Sequence, residues 1–366
     1  MKNKIIAALA ALPLLATGCA AGSSPTAPVA ASKESSDSGA DNLTTLLDEL
    51  AFSGTLLVSK GDDILLREAV NAAPTEDAAD VTLDTRFPVA SMTKSFTAAL
   101  VLKLVDEKKL GLDQTLTELL PDFDAPYAGE VTVRHLLQNR SGIPHYIDIP
   151  GWFNNDVKRA FTNETFIEAL EGLELKFTPG RDYLYSNVNY FLLALIIDRH
   201  SGMDYETRLQ TQILDPLGMT ETRQLYQDKG GLAVNYLKND DGVYEIIPVV
   251  NPVLFRGTAS MVSTADDLNI WGHAVMDGAI YSEAAAAEAF HTDTPMAWSV
   301  SELPVSDDRN VSVTYYNGRL IGYLSLIMLV PEEDGVIVIL NNNTVGYDNM
   351  IGLAATLAAD HFGGED

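Results

Sequence analysis

Two apolar runs meet at a Gly-Asp pair in GTLLVSKGDDILLREA, residues 54–69, a pattern that predicts a β-hairpin. From Ser91 to about Pro216 the apolar positions take up a helical repeat. It runs through TKSFTAALVLKLVDEKK, TVRHLLQNRSG, NETFIEALEGL, NYFLLALIIDRHSG and YETRLQTQIL, with Gly or Pro as punctuation. Beyond that stretch the extended pattern returns in MAWSV, NVSVTYYNG, GYLSLIMLV and GVIVILNNN, and the helical MIGLAATLAADHF follows. Strands at both ends with helices between them predict an α/β fold: an antiparallel sheet built from both termini, flanked by helices, with an all-helical lobe inserted. The expected division is an α/β lobe over 42–88 and 255–366 and a helical lobe over 89–254, together one domain over 42–366. No internal repeat is present.

The first residues have a different pattern. MKNKIIAALAALPLLATGC has a basic start, an uncharged apolar run from Ile5 to Ala16, and small residues ahead of Cys19. That run is shorter than the roughly 20 apolar residues a membrane-crossing helix needs, and it fits a secretory signal over 1–18. A-T-G-C is similar to the lipobox of bacterial lipoproteins, with Ala16 where a larger aliphatic is more usual. Cys19 is therefore expected to carry a lipid anchor, placing the domain outside the cytoplasm on a bacterial membrane; the alternative is an ordinary signal with an incidental cysteine. Residues 19–41, polar, small and dotted with proline, read as a flexible tether. Cys19 is the only cysteine, so the chain holds no internal disulfide.

Charge narrows the partners. The chain carries −27, and removal of residues 1–18, which hold Lys2 and Lys4 and no acid, takes it to −29. Nucleic acid is not an expected partner of such a chain.

One short stretch brings in chemistry. In VASMTKSF, residues 89–96, Ser91 and Lys94 are three apart at the start of a predicted helix, on one face. A helix N-terminus favours negative charge developing nearby. A serine hydroxyl needs a proton acceptor to become a nucleophile, and a buried lysine whose ammonium form is disfavoured can serve. S-x-x-K alone is weak, because it arises about once by chance in a chain of this length, and a capping serine with a solvated lysine explains it equally well. A second element, PGRDYLYSNVNYFLL at 179–193, sets Tyr185 and Asn187 two apart just before a helix. A phenol beside a lysine can relay a proton, and an amide can hold the lysine or a substrate carbonyl. The competing explanation is a core tyrosine with an Asn cap, and Y-x-N recurs at Tyr347–Asn349. The third element, TYYNGRLIGY at 314–323, contains a strand glycine that would let a substrate backbone approach; read alone it is a turn between strands.

In this order, S-x-x-K, Y-x-N and the x-x-G strand resemble the penicillin-recognising serine hydrolases: class C β-lactamases, serine D-Ala-D-Ala carboxypeptidases and related esterases and D-aminopeptidases. The resemblance covers almost all of residues 50–350, including FPVASMTKSF, LVDEKKLGLDQTL, VRHLLQNRSGIPHY, YSNVNYFLLALIIDRHSG, ILDPLGMTET and STADDL. The carboxypeptidase-like members are the nearest in kind. It implies that Ser91 forms an acyl-enzyme, with Lys94 accepting its proton. Tyr185 would protonate the leaving group and later activate water, and Asn187 would position Lys94 and the substrate. It further implies an oxyanion hole from the backbone N–H groups of Ser91 and Arg319, and substrate contacts at Tyr316, Asn317, Gly318 and His145, the last near the cleft rim. No cofactor and no metal is implied. The expected partners are a small-molecule or peptide acyl substrate and the membrane at Cys19, and the chain is expected to be a monomer.

The chain departs from this pattern in one place: Tyr316-Asn317-Gly318 stands where the family usually has Lys-Thr-Gly or His-x-Gly. The missing cation commonly faces a substrate carboxylate. Strand alternation sends Arg319 to the face opposite Tyr316 and Gly318, so it is no substitute, and Arg256 in FRGTASM is the remaining candidate. Weak or absent β-lactamase activity is expected, with an ester, an amide or a cell-wall peptide as substrate. The alternative function is a non-catalytic envelope lipoprotein that uses this fold to bind or regulate. Rival hydrolase chemistries lack their motifs: there is no G-x-S-x-G, and His135, His145, His200, His273, His291 and His361 are scattered with no H-E-x-x-H.

Overall fold

The computed structural model describes residues 39–71, 80–148, 163–238, 244–246, 255–343 and 346–364. The signal segment, Cys19 and most of the tether lie outside the described residues. Among the described residues no helix is long and apolar enough to cross a membrane.

Helix α1 (Gly39–Glu49) leads into the hairpin of β1 (Ser53–Lys60) and β2 (Asp63–Asn71). Its turn is set by Gly61, whose φ of 54° suits a residue without a side chain. The chain returns to this sheet only after residue 298, with β6 (Ser299–Pro304), β7 (Asn310–Leu320), β8 (Tyr323–Val330) and β9 (Gly335–Asn341), and ends in α10 (Tyr347–Phe362). The order across the sheet is β2-β1-β9-β8-β7-β6, antiparallel throughout. The N-terminal hairpin thus closes onto the last strand, from Gly54 opposite Asn341 to Lys60 opposite Gly335, as the two-ended strand pattern predicts.

The central strands are buried on both faces, and for that reason their sequences are nearly continuous apolar runs. Alternation divides them between two cores. Leu56, Val58, Leu326 and Ile337 pack on the side of α1 and α10. Leu57, Ile327, Leu329 and Val338 face α8 (Ala265–Met276) and, beyond it, the helical segment. The centre of that segment is α2 (Thr93–Asp106) packed on α6 (Asn187–Ser201). Eleven of the fourteen residues of α2 are buried, which places it inside the lobe rather than on its surface. Trp271 of α8 is fully buried and stacks on Phe96 of α2 at 4.1 Å and 18°, joining the helical segment to the sheet.

A small second sheet holds the start of α2. β3 (Phe87–Pro88) and β4 (Arg223–Gln224) both pair with β5 (Met261–Ser263), and Val89 N donates to Met261 O at 3.0 Å. Trp271→Ala removes the aromatic stack between α2 and α8, whose chain segments are otherwise joined by the β3–β5 pairing ahead of them. It is expected to cost about 3–5 kcal/mol in urea unfolding, whereas a loss under about 1 kcal/mol would place the joint elsewhere.

Candidate active site

Ser91 does not begin the long helix. It sits in a 3-10 turn, Ala90–Met92, and α2 starts at Thr93 with Met92 as a cap that makes no side-chain bond. The turn is entered through Ala90 at φ 48°, a left-handed conformation costly for a residue with a Cβ. Ser91 is therefore not spent as a helix cap. Its Oγ lies 2.7 Å from Tyr185 Oη and receives a hydrogen bond of 3.1 Å from Lys94 Nζ.

Lys94 is fully buried. It also donates to the Thr258 carbonyl at 2.8 Å and lies 5.0 Å and 5.7 Å from the ring centres of Tyr185 and Tyr190. Thr258 was not foreseen from the sequence. Asn187, expected to hold Lys94, donates its Nδ2 to Tyr146 Oη at 3.2 Å, and its buried Oδ1 has no hydrogen-bond partner among the described residues. The competing reading of Asn187 as a cap fails, because Ser186 caps α6 through Val188 N.

The residues behind Tyr185 come from SGIPHY and the asparagine before it. Asn139 O accepts from Leu184 N, and Asn139 Oδ1 accepts from both Ser186 N and Asn189 Nδ2. Ser186 Oγ donates to Pro144 O. These bonds clamp the chain on both sides of Tyr185, so that its phenol is fixed by main-chain geometry. His145 is buried, with its ring 4.3 Å from Tyr146 and 6.4 Å from Tyr185. It therefore packs beside the phenols instead of standing open at a rim. Burial, with a smaller contribution from the charge of Lys94, lowers its pKa to about 3. Burial raises that of Tyr146 to about 12, opposed by the Asn187 bond.

β7 forms the other wall. A Cβ built on Gly318 would lie 2.1 Å from Val89 O and 3.0 Å from Ser91 N, so only glycine lets the strand close on the serine turn. Ser325, opposite Gly318 on β8, donates to Val89 O at 2.8 Å. Its signal was a single hydroxyl in the apolar run YLSLIMLV. Tyr316 is buried on the same face as Gly318, edge-on to Trp298 at 6.2 Å and 89°. Arg319 is exposed, as alternation predicts. Asn317 Oδ1 lies 3.5 Å from Tyr347 Oη, so the Y-x-N at Tyr347–Asn349 meets β7. Arg256 does not replace the missing cation: it is bound to Asp198 and Glu206.

A Ser-His-Asp alignment exists elsewhere. Ser59 Oγ lies 2.8 Å from His273 Nε2, and His273 Nδ1 lies 3.5 Å from Asp334 Oδ1. Ser59 is fully buried and donates its proton to Asn269 Oδ1 at 2.6 Å. It ties β1 to α8 and offers no face to a substrate carbonyl.

A family model described as Beta-lactamase matches residues 40–360. Among curated proteins the chain is 38% identical over 183 residues to "Penicillin-binding protein 4*" of Bacillus subtilis (strain 168), a match covering 49% of this chain and 39% of that protein. The chain thus spans well under half of that relative's length. Among solved structures, the octameric penicillin-binding protein homologue from Pyrococcus abyssi aligns with a TM-score of 0.74 at 23% identity, covering 87% of this chain and 76% of that one. The D-stereospecific amidohydrolase from Streptomyces sp. aligns at 0.72 and 20%, covering 89% and 99%. At these identities the structural likeness shows the fold: β-lactamase/transpeptidase-like.

The low pKa of His145 predicts a pH dependence of stability. Above its unfolded value of 6.5 the ring is neutral in both states. Between 6.5 and about 3 only the unfolded chain takes the proton, so acidification destabilises the fold. From pH 6 to pH 4.5 wild type should lose about 2 kcal/mol more than His145→Gln in urea unfolding; parallel losses would show that the ring protonates in the folded state.

Proposed function

We propose that this chain, which belongs to the β-lactamase family by the match over residues 40–360, is a serine hydrolase that works through an acyl-enzyme at Ser91. The observation that carries the reading is the convergence of Tyr185 Oη and Lys94 Nζ on Ser91 Oγ, with the lysine sealed from water. Burial works against the charged form of an amine, and it is the unprotonated form of Lys94, alone or through the Tyr185 phenol, that accepts the Ser91 proton as Oγ attacks the substrate carbonyl. The pair then delivers that proton to the leaving oxygen or nitrogen as the scissile bond breaks. In the second half a water gives its proton to the same pair, attacks the ester, and releases acid and Ser91. Charge on the carbonyl oxygen would be met by the N–H groups of Ser91 and Arg319, donors of a kind worth about 3–4 kcal/mol. The claim rests with the pair and not with one member of it.

The substrate class is an amide or ester of the D-alanyl-D-alanine carboxypeptidase or D-aminoacyl peptidase and esterase kind. Its similarity to the Bacillus penicillin-binding protein and the Streptomyces D-stereospecific amidohydrolase supports it by analogy. Tyr316, packed on Trp298, puts an aromatic face where a cation would meet a carboxylate. Within that class, esters and amides without a carboxylate at that position are favoured, and D-Ala-D-Ala peptides and β-lactams, which carry one, are the poorer substrates. Lipid anchoring at Cys19, an extracytoplasmic location and a monomeric state belong to the same proposal and rest on the sequence.

A fluorophosphonate probe is expected to label Ser91 in the wild type and not in Ser91→Ala. In a panel of p-nitrophenyl esters, D-aminoacyl amides, D-Ala-D-Ala peptides and nitrocefin, the uncharged esters and amides should be turned over with roughly tenfold or greater kcat/KM advantage over nitrocefin. No labelling by any acylating probe would replace this reading with a binding or regulatory module.

A further inference from the structure

The Lys94 amine is held by a main-chain carbonyl, and a carbonyl stays in place only if its peptide does. The segment that carries Thr258 crosses the helical lobe at a tight point. Gly257 has φ 70°, and a Cβ there would lie 2.8 Å from Ala194 Cβ and 2.9 Å from Tyr190 O, both on α6. Its own carbonyl accepts from Thr97 Oγ1 at 2.7 Å, and Thr258 O accepts from Lys94 Nζ at 2.8 Å. Thr97 and Lys94 are three apart on α2, so consecutive carbonyls of this segment dock on one face of the helix that carries the amine.

The residue just before this crossing is Arg256. Its guanidinium binds Asp198 of α6 with Nη1 and Nη2 at 2.5 and 2.8 Å, and Glu206 of α7 (Tyr205–Leu209) with Nε and Nη2 at 2.7 and 2.6 Å. It also lies over the Tyr205 ring at 5.5 Å, and Tyr205 Oη shares a 2.8 Å hydrogen bond with Thr97 Oγ1. The contacts close a ring: Arg256, Tyr205, Thr97, the Gly257–Thr258 peptide and back to Arg256, with Lys94 on its inner edge. Two bidentate pairs fix a guanidinium in position and angle as a point charge does not.

We infer that Arg256 is a positioning residue: by clamping α6 and α7 it fixes the Gly257–Thr258 peptide and so the carbonyl that holds Lys94 Nζ against Ser91. The inference rests on the reading of Lys94 as part of the proton acceptor for Ser91. Arg256 does not touch Ser91 or the substrate, so its loss lets the amine drift and slows the chemical step while leaving ground-state binding alone.

The test compares Arg256→Gln with Arg309→Gln, which breaks an arginine cluster with Glu333 and Phe362 O on the far side of the sheet, in a p-nitrophenyl ester assay, with melting temperatures measured in parallel. Arg256→Gln is expected to lower kcat roughly tenfold to a hundredfold with KM nearly unchanged, and Arg309→Gln to lower the melting temperature without moving kcat. If Arg256→Gln does not fold, Glu206→Gln, which removes one clamp partner, should show a smaller loss of kcat in the same sense. A crystal structure of whichever variant folds should show Lys94 Nζ beyond hydrogen-bond range of Thr258 O, a readout that stands even if no ester is turned over. Unchanged kcat in a folded variant, a loss confined to KM, or an unmoved Lys94–Thr258 contact would each overturn the inference; inactivity of wild type toward every ester would instead sink the hydrolase reading.

Discussion

A lysine side chain without water around it is the constraint on which the rest of the molecule turns. Enclosing an amine is costly unless polar groups meet it, and here they arrive from three parts of the chain: Ser91 beside it, Thr258 from the connection into β5, and the phenol faces of Tyr185 and Tyr190. The helix bearing Lys94 is buried nearly all round, packed on α6 and stacked through Phe96 on Trp271 of α8. Fold and reactivity are therefore the same packing problem viewed at two scales.

The sheet contributes to this arrangement by close contact with the serine turn. Gly318 lets β7 touch the serine turn, and Ser325 fastens the turn's Val89 carbonyl from the next strand. Strain at Ala90 is held by β3 on one side and α2 on the other, so the hydroxyl is presented by a backbone with little freedom. On the opposite wall Asn139 gathers the chain around Tyr185. Ser91 and Tyr185 are each set by main-chain bonds of their neighbours, an arrangement that would preorganise the proposed site before a substrate arrives.

Much of this was legible in the residues. The hairpin and the C-terminal strands announced themselves as apolar runs between turn residues, and the sheet's two-ended construction followed from their order. The outward Arg319 was readable from alternation, whereas Gly318 read alone as a turn and took its place in the site from the family resemblance. What escaped has a common cause: it depends on the backbone or on distant partners. Ala90 carries no sign of its positive φ, so Ser91 seemed to start the helix that in fact begins at Thr93. Thr258 acts through a carbonyl that any residue would supply. Arg256, considered as a substitute cation, is committed to carboxylates 58 and 50 positions away, a pairing no local pattern encodes.

In the proposed mechanism Ser91 is reactive because Lys94 and Tyr185 share its proton. Single-turnover acylation of Ser91 by a p-nitrophenyl ester, followed in wild type, Lys94→Met and Tyr185→Phe with folding verified by circular dichroism, tests it directly. Lys94→Met should slow acylation by about 10²–10⁴, with Tyr185→Phe slowed as well. Acylation of Lys94→Met at the wild-type rate would contradict the claim.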